Sequence, residues 1–300
     1  MFLCKRLYFI LYNYSMKSSG NTGKICILGI VLLSTLLIWS AVVSTSPSDT
    51  LVVAFLDVGQ GDAIFIEAPN GSQVLIDGGP NKSVLRELGR MMPFYDRSID
   101  VVIATHPDSD HIGGLPAVFK NFDVDVVFDP GVDSDSGVFK AYEDLILEKN
   151  IKRIHPFAGT VISLGKDISL EILFPDRDAS NMKANTASII ARLVYGESEF
   201  LFTGDSPKSI EKYLMSIGAD IESDVLKVGH HGSKTSSVES FVARVSPAIA
   251  VVSAGKDNRY GHPHREVIET FNAAEIDMYS TAEEGTIICT TKGDGVVKCK

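Results

Sequence analysis

Three loops rich in histidine and aspartate constrain the fold of this chain most. Each follows a short apolar segment that is typical of a buried strand: Val101–Ala104, Val225–Val228 and Ala248–Val252. Together the loops hold six of the seven histidines. Polar side chains at the ends of strands gather at one edge of a sheet, where α/β proteins form their binding sites. The pattern therefore predicts an α/β domain whose chemistry lies at a sheet edge.

Apolar strands alternate with helical stretches, which favours helices packed on covered sheets. The predicted helices are Val84–Met92, Phe139–Lys149, Pro207–Ile217, Val238–Val245 and Arg265–Ala273. Besides the three strands above, the predicted strands are Leu51–Leu56, Ala63–Glu67, Gln73–Ile76, Val124–Phe128, Ile168–Leu173, Ser188–Tyr195 and Phe200–Phe202. Residues 286–299 predict a terminal hairpin with its turn at Lys292–Gly295.

The N-terminal part contains an uncharged run of 19 residues, 25–43. A helix of that length spans roughly the ~30 Å hydrocarbon core of a membrane. Lys17 and Lys24 precede the run, so residues 1–24 are expected in the cytoplasm and the remainder outside it. The alternatives are a cleaved signal segment, which would release the protein, and a buried core helix. Met16 is an alternative start of the chain.

Residues 44–50 form a short polar linker, and one large domain is expected over 51–300. The ordinary share of apolar and charged residues excludes a disordered chain and a multi-span membrane protein. Residues 49–300 carry 24 basic and 38 acidic side chains, a net charge of −14. This acidity does not favour a general nucleic-acid-binding surface.

The loop after Val101–Ala104 offers four potential metal ligands within six residues: His106, Asp108, Asp110 and His111. Histidine and carboxylate suit Zn²⁺ or Mn²⁺. The alternative is a solvated acidic loop with two incidental histidines.

Other strand ends carry weaker signals. Asp57 and Asp62 lie in a glycine-rich turn after the first strand, and Asp77 follows the third strand in a similar turn. Asp205 ends an apolar strand, where it is expected either to bridge two metals or to cap the next helix. These residues become candidates for the metal site only if the fold places them near the histidine loop.

Adjacent His230 and His231 end another apolar strand. On an extended chain they point to opposite sides, so one is expected to bind metal and the other either to support a metal ligand or to be catalytic. A further loop holds Asn258, His262 and His264.

The His-x-Asp-x-Asp-His loop resembles the His-x-His-x-Asp-His signature of the metallo-β-lactamase superfamily, with Asp108 in place of the second histidine. Four further motifs are similar to those of the ComEC family. In that family they belong to the C-terminal metallo-hydrolase domain of the DNA-uptake channel. These motifs are Phe55–Asp62, Thr203–Asp205, Lys227–Ser233 and Arg259–Pro263. The resemblance covers residues 51–299.

This resemblance implies an αββα sandwich with two divalent ions, Zn or Mn, at one edge. The implied ligands are His106, Asp108, Asp110, His111, the bridging Asp205, and His231. Asp110 would also position the nucleophile, and His230 or His262 would stabilise charge on the substrate. Where relatives often have another histidine ligand, this chain offers Asn185 as a weak ligand. Asp57, Asp62 and Asn258 are further candidates for weak ligands or substrate contacts.

The function implied is that of an exported, membrane-anchored phosphodiesterase or nuclease that acts on DNA in a competence-like role. DNA, the membrane and a separate uptake channel would be its partners. A hydrolase of choline- or glycerol-phosphate diesters in the cell envelope is the alternative enzyme. The non-enzymatic alternative is a non-catalytic subunit for DNA uptake or binding.

Cys289 and Cys299 flank the terminal hairpin, each five residues from Asp294. If they face each other in a non-hydrogen-bonded pair, they are close enough for a disulfide, which persists outside the cytoplasm. A register slip by one residue would leave two unpaired thiols.

Overall fold

The structure is a computed structural model that describes residues 21–44 and 49–300. Met16, residues 1–20 of the predicted cytoplasmic segment and residues 45–48 of the predicted linker lie outside the described residues. The chain divides between Ser48 and Asp49 into two compact units.

The first unit contains helix α1 (Asn21–Ser44), which covers the uncharged run. Across the described parts of the chain, no helix combines the length and the apolarity needed to cross a membrane. The membrane anchor or signal segment predicted for 25–43 is therefore not confirmed.

The second unit alternates strands and helices. Its helices are α2 (Ser83–Met91), α3 (Ser109–Ile112), α4 (Leu115–Asn121), α5 (Gly137–Lys149), α6 (Lys208–Ser216), α7 (Glu239–Val245), α8 (Arg265–Ala273) and α9 (Thr281–Glu284). Its first strands are β1 (Leu51–Phe55), β2 (Ile64–Glu67), β3 (Gln73–Ile76), β4 (Ser98–Ile103), β5 (Asp123–Phe128), β6 (Lys152–Ile154), β7 (Val161–Gly165) and β8 (Ile168–Phe174). The remaining strands are β9 (Ile190–Tyr195), β10 (Ser198–Phe202), β11 (Val225–Lys227), β12 (Ile249–Val252), β13 (Asp277–Ser280), β14 (Ile287–Thr291) and β15 (Lys298–Cys299).

Two sheets form the centre of this unit. One has eight strands in the order β15-β14-β1-β2-β3-β4-β5-β6, and the other has seven in the order β13-β12-β11-β10-β9-β8-β7. Their inner faces share one apolar core, in which Phe55 and Phe202 lie with ring centroids 6.3 Å apart. Alternating burial along β8 fits a strand with one face in this core.

Helices cover both outer faces. Leu88 of α2 and Phe119 of α4 pack on the eight-stranded sheet, while Leu214 of α6 and Phe241 of α7 pack on the seven-stranded sheet. The unit is therefore the αββα sandwich that the sequence motifs imply. Its parallel strands β3, β4 and β5, and likewise β10, β11 and β12, end at edges from which the polar loops emerge.

The predicted terminal hairpin is confirmed. In the antiparallel pair β14–β15, Cys289 lies directly opposite Cys299, and the two form a disulfide. Ile288 and Lys300 exchange both backbone hydrogen bonds, so the cysteines occupy the adjoining non-hydrogen-bonded position. The predicted disulfide is therefore also confirmed.

We expect Cys299→Ser to lower the free energy of unfolding by about 2–3 kcal/mol, because the reduced chain regains the entropy of a short closed loop. Urea denaturation of the oxidised protein measures this difference. Cys26→Ser is the matched control, since Cys26 is an exposed free cysteine. Equal unfolding free energies for both variants would contradict the expected contribution of the disulfide.

Candidate metal centre

Loops from both sheets converge on the carboxylate of Asp205, which follows β10. His111 Nε2 lies 3.2 Å from Asp205 Oδ1. The Nε2 atoms of His230, His231 and His106 lie 3.4, 3.6 and 3.9 Å from Asp205 Oδ2. Four histidines from two loops that are far apart in the sequence thus surround one buried carboxylate.

Two further carboxylates line the open side of this cluster. Asp110 Oδ2 lies 3.4 Å from His231 Nε2, and Asp108 Oδ2 lies 3.7 Å from His106 Nε2. Their side chains are 32% and 47% exposed. The structure therefore brings together all six residues that the sequence motifs propose as metal ligands.

Several buried atoms of the cluster lack a hydrogen-bond partner of acceptable geometry among the residues that the structure describes. They include Nε2 of His106, His111 and His231, and Oδ1 of Asp205. Buried polar atoms are normally paired, so a converging set without partners requires an explanation. Imidazole nitrogens and a carboxylate oxygen are the ligands that Zn²⁺ and related ions prefer. The residues present therefore fit a divalent metal.

The opposite ring nitrogens of the histidines are held by the protein. His111 Nδ1 lies 2.7 Å from Asp77 Oδ2, and His231 Nδ1 lies 2.9 Å from the Ser253 carbonyl oxygen. His106 Nδ1 lies 3.0 Å from Thr105 Oγ1. In the neutral imidazole, which is the form that binds a metal, a protonated Nδ1 that donates to these oxygens leaves Nε2 with its lone pair directed at the centre.

Asp77 is the main support of this arrangement. Its carboxylate accepts from the Thr105 N–H at 2.8 Å and from the Thr105 hydroxyl at 2.7 Å, besides its contact with His111. We expect Asp77→Asn to weaken Zn²⁺ binding about 10–100-fold, because an amide replaces one acceptor with a donor. Competition with a chelator measures the affinity.

The matched control for that substitution is Asp57→Asn. Among the described residues, the hydrogen bond that the Asp57 carboxylate accepts comes from the Gly59 N–H in its own turn, at 3.2 Å. Unchanged Zn²⁺ affinity in Asp77→Asn would contradict the supporting role of Asp77.

Asp62 lies on the other side of the histidine rings. Its oxygens lie 3.2 Å from His231 Nδ1 and 3.8 Å from His111 Nδ1, and it forms an ion pair with buried Lys227. One ligand atom from each of Asp62, His111, Asp205 and His231 lies within 4.8 Å of the others. We nevertheless place the metal on the Nε2 side, because both Nδ1 atoms already have acceptors.

Burial and charge strongly perturb the cluster. Burial and the neighbouring His111 lower the pKa of His106 to about 3. Burial alone would lower the pKa of His231, but Asp205 and Asp62 raise it to about 9. Burial would raise the pKa of Asp205, yet His231 and His111 hold it well below its usual range. Asp205 is therefore ionised at neutral pH and ready to bind a cation.

The His230–His231 segment differs from the expected extended conformation. Both residues adopt left-handed backbone angles, with φ of 50° and 55°. Such angles are uncommon in residues with a side chain and concentrate at functional sites. They let His231 enter the centre while the His230 side chain remains 26% exposed and is held by Thr235 Oγ1, 2.8 Å from its Nδ1.

Of the weaker candidates, Asp57 and Asn258 form hydrogen bonds within their own turns. The Asn258 amide contacts the backbone of Gly255, Tyr260 and His262 and so shapes that loop. From the segment of Asn185, the side chain that contacts the cluster is Ser188, 3.4 Å from His106 Nδ1. The ring of His262 lies 5.9 Å from that of His230, beside the centre.

Comparison with known proteins agrees with this geometry. Residues 56–256 match the metallo-beta-lactamase superfamily. The chain is 34% identical over 257 residues to ComE operon protein 3 of Bacillus subtilis, covering 78% of this chain and 32% of that protein. It is 30% identical over 246 residues to competence protein ComA of Neisseria gonorrhoeae, covering 80% and 32%. The chain thus spans about a third of the length of these curated relatives.

A solved structure shares the fold. Igni18, a metallo hydrolase from the archaeon Ignicoccus hospitalis, superposes with a TM-score of 0.52 at 15% sequence identity. The superposition covers 80% of this chain and 98% of Igni18.

Proposed function

The chain belongs to the metallo-beta-lactamase superfamily, and from this premise we propose that it is a metal-dependent phosphodiesterase that acts on DNA. Proteins of this superfamily are generally metal-dependent hydrolases. The observation that carries the proposal is the set of unpaired, buried Nε2 atoms that face Asp205 while each Nδ1 is held by the protein. A site that only stabilised the fold would pair these atoms internally.

The ligands fall into two groups that share Asp205. His106 and Asp108 would hold one ion with it, and Asp110, His111 and His231 would hold the other. A bound divalent ion supplies a water of lowered pKa and neutralises negative charge on the substrate.

The remaining polar groups act on the substrate directly. The partly exposed His230 is fixed through Nδ1, so its Nε2 is positioned to contact a phosphate oxygen beside Asp205. The ring of His262 forms the adjoining wall. Burial and the neighbouring His231 lower the pKa of His262 to about 4, so it would bind the substrate as a neutral imidazole.

The choice of DNA as the substrate rests on the relative from Neisseria gonorrhoeae, whose name refers to competence. A small cell-envelope phosphodiester is the second candidate, favoured by the net charge of −14 on residues 49–300. Away from the metal centre, such an acidic surface would repel a polyanion. Export of this part of the chain, membrane anchoring and a separate uptake channel stay predictions from the sequence.

Incubation of the full chain with Mn²⁺ or Zn²⁺ and four substrates tests the proposal. The substrates are single-stranded DNA, duplex DNA, a glycerol-phosphate diester and a choline-phosphate diester. We expect cleavage of DNA that stops on addition of a chelator. Cleavage of the small diesters alone would favour the envelope hydrolase, and no cleavage of any substrate would contradict a hydrolase.

A further inference from the structure

Lys227 is a charged residue in the interior of the sandwich. It ends β11, whose three residues are all buried, and its side chain is 1% exposed. Val225, two positions earlier, lies in the core between the sheets, so Lys227 points into the same layer. A lysine is rarely fully buried unless it is paired, and here the partner is Asp62.

The Lys227–Asp62 ion pair links the two sheets next to the candidate metal centre. Asp62 precedes β2 of the eight-stranded sheet, whereas Lys227 belongs to the seven-stranded sheet. Lys227 Nζ also lies 3.5 Å from the carbonyl oxygen of Gly204, the neighbour of Asp205. The ammonium group therefore lies on the Nδ1 side of the His111 and His231 rings, whose Nε2 atoms face the metal side.

The position of Asp62 is fixed by its backbone. Its N–H donates to the Asp110 carbonyl at 3.2 Å, and its carbonyl accepts from the Gly79 N–H at 2.7 Å. The preceding Gly61 has φ of 139°, and a Cβ there would lie 2.1 Å from the Asp110 carbonyl oxygen. Only glycine permits this approach, which holds a carboxylate within ligand distance of the cluster.

A carboxylate held so close would be a natural additional ligand, since one of its oxygens lies within 4.8 Å of a ligand atom from each of His111, Asp205 and His231. We propose that Lys227 acts as a built-in cation that neutralises Asp62 and keeps it out of the metal ligand set. Asp62 then stays paired with Lys227, and the divalent ions bind on the Nε2 side of the histidine rings. This role makes Lys227 a positioning residue.

The inference rests on the proposed metal centre but not on the proposed substrate. Its test compares Zn²⁺ affinities of the full chain, measured by chelator competition. Lys227→Met removes the buried positive charge, and Lys227→Met combined with Asp62→Asn removes both charges. Lys234→Met is the matched control, because it removes the same charge from an exposed position near the site.

We expect Lys227→Met to bind Zn²⁺ at least about tenfold more tightly than the wild type, since it frees an anionic oxygen and removes a nearby positive charge. The double variant should bind Zn²⁺ within about threefold of the wild type, because it no longer has the carboxylate that Lys227→Met would free. Lys234→Met should also stay within about threefold, because its exposed charge is screened by solvent and salt. A purely structural ion pair predicts the opposite sign, because its loss would loosen the site.

Unchanged or weaker Zn²⁺ binding by Lys227→Met would overturn the inference. If this variant does not fold, the double variant decides, because it leaves no unpaired buried charge: wild-type affinity supports the inference, and loss of binding overturns it. Absence of Zn²⁺ binding by the wild type would instead reject the metal centre itself.

Discussion

Replacing Asp205 with asparagine is expected to reduce hydrolysis at least about a thousandfold. Its carboxylate is the one group that all four histidines of the centre approach, at 3.2 to 3.9 Å. Asparagine keeps the shape but removes the negative charge that would hold both ions. Because metal ions contribute several kcal/mol to catalysis, and about 1.4 kcal/mol is a factor of ten, a loss of this size follows.

The measurement is kcat/KM of the full chain on its best DNA substrate at saturating Mn²⁺, together with the metal content of each variant. Asp57→Asn is the matched control and should retain wild-type values, because the Asp57 carboxylate accepts a hydrogen bond within its own turn and not from the Asp205 cluster in the described part of the chain. Wild-type turnover and metal content in Asp205→Asn would refute the proposed ligand set.

Asp110→Asn is expected to lower kcat/KM at least about a hundredfold without unfolding the protein. The carboxylate lies 3.4 Å from His231 Nε2 and is one-third exposed, so it faces both the metal side and the substrate. Removal of this partly exposed charge still leaves the buried His231 with Asp62 and Asp205 as charge partners. We therefore expect the free energy of unfolding to change by less than about 1 kcal/mol.

Kinetics and urea denaturation of the same preparation separate these two effects. Loss of activity with a lowered unfolding midpoint would indicate a structural residue. Retained activity would show that the centre does not use Asp110.

The sequence predicts most of the central strands but few of the edge strands. Gln73–Ile76 and Arg265–Ala273 have the predicted boundaries. The strands β6, β7 and β13 were not predicted, and all three lie at sheet edges. Edge strands are partly exposed, so they lack the continuous apolar run that identifies a buried strand.

The candidate ligands could be predicted because their residue types are unusual and directly follow apolar strands. The support around them could be predicted only in part. Asp77 carried only a weak signal in its glycine-rich turn, Ser188 begins a predicted strand with no sign of a role at the site, and Ser253 contributes only its carbonyl oxygen. The left-handed conformation of His230 and His231 also has no local signal, because only the folded surroundings stabilise it.

Lys227 did carry a signal, since it is a single charge in an otherwise apolar strand. Its partner lies in the other sheet, however, and a contact between sheets depends on how they pack. A charged residue in a predicted buried strand therefore identifies an ion pair without identifying the second member.

The central claim is that the Asp205 cluster is a catalytic metal centre. The most direct measurement treats the full chain with a chelator, removes the chelator, and titrates Mn²⁺ while DNA cleavage and bound Mn²⁺ are followed together. We predict no cleavage by the metal-free protein and a rise in cleavage that parallels occupancy until the sites are filled. Cleavage that persists in the metal-free protein, or that does not change as Mn²⁺ binds, would contradict the account.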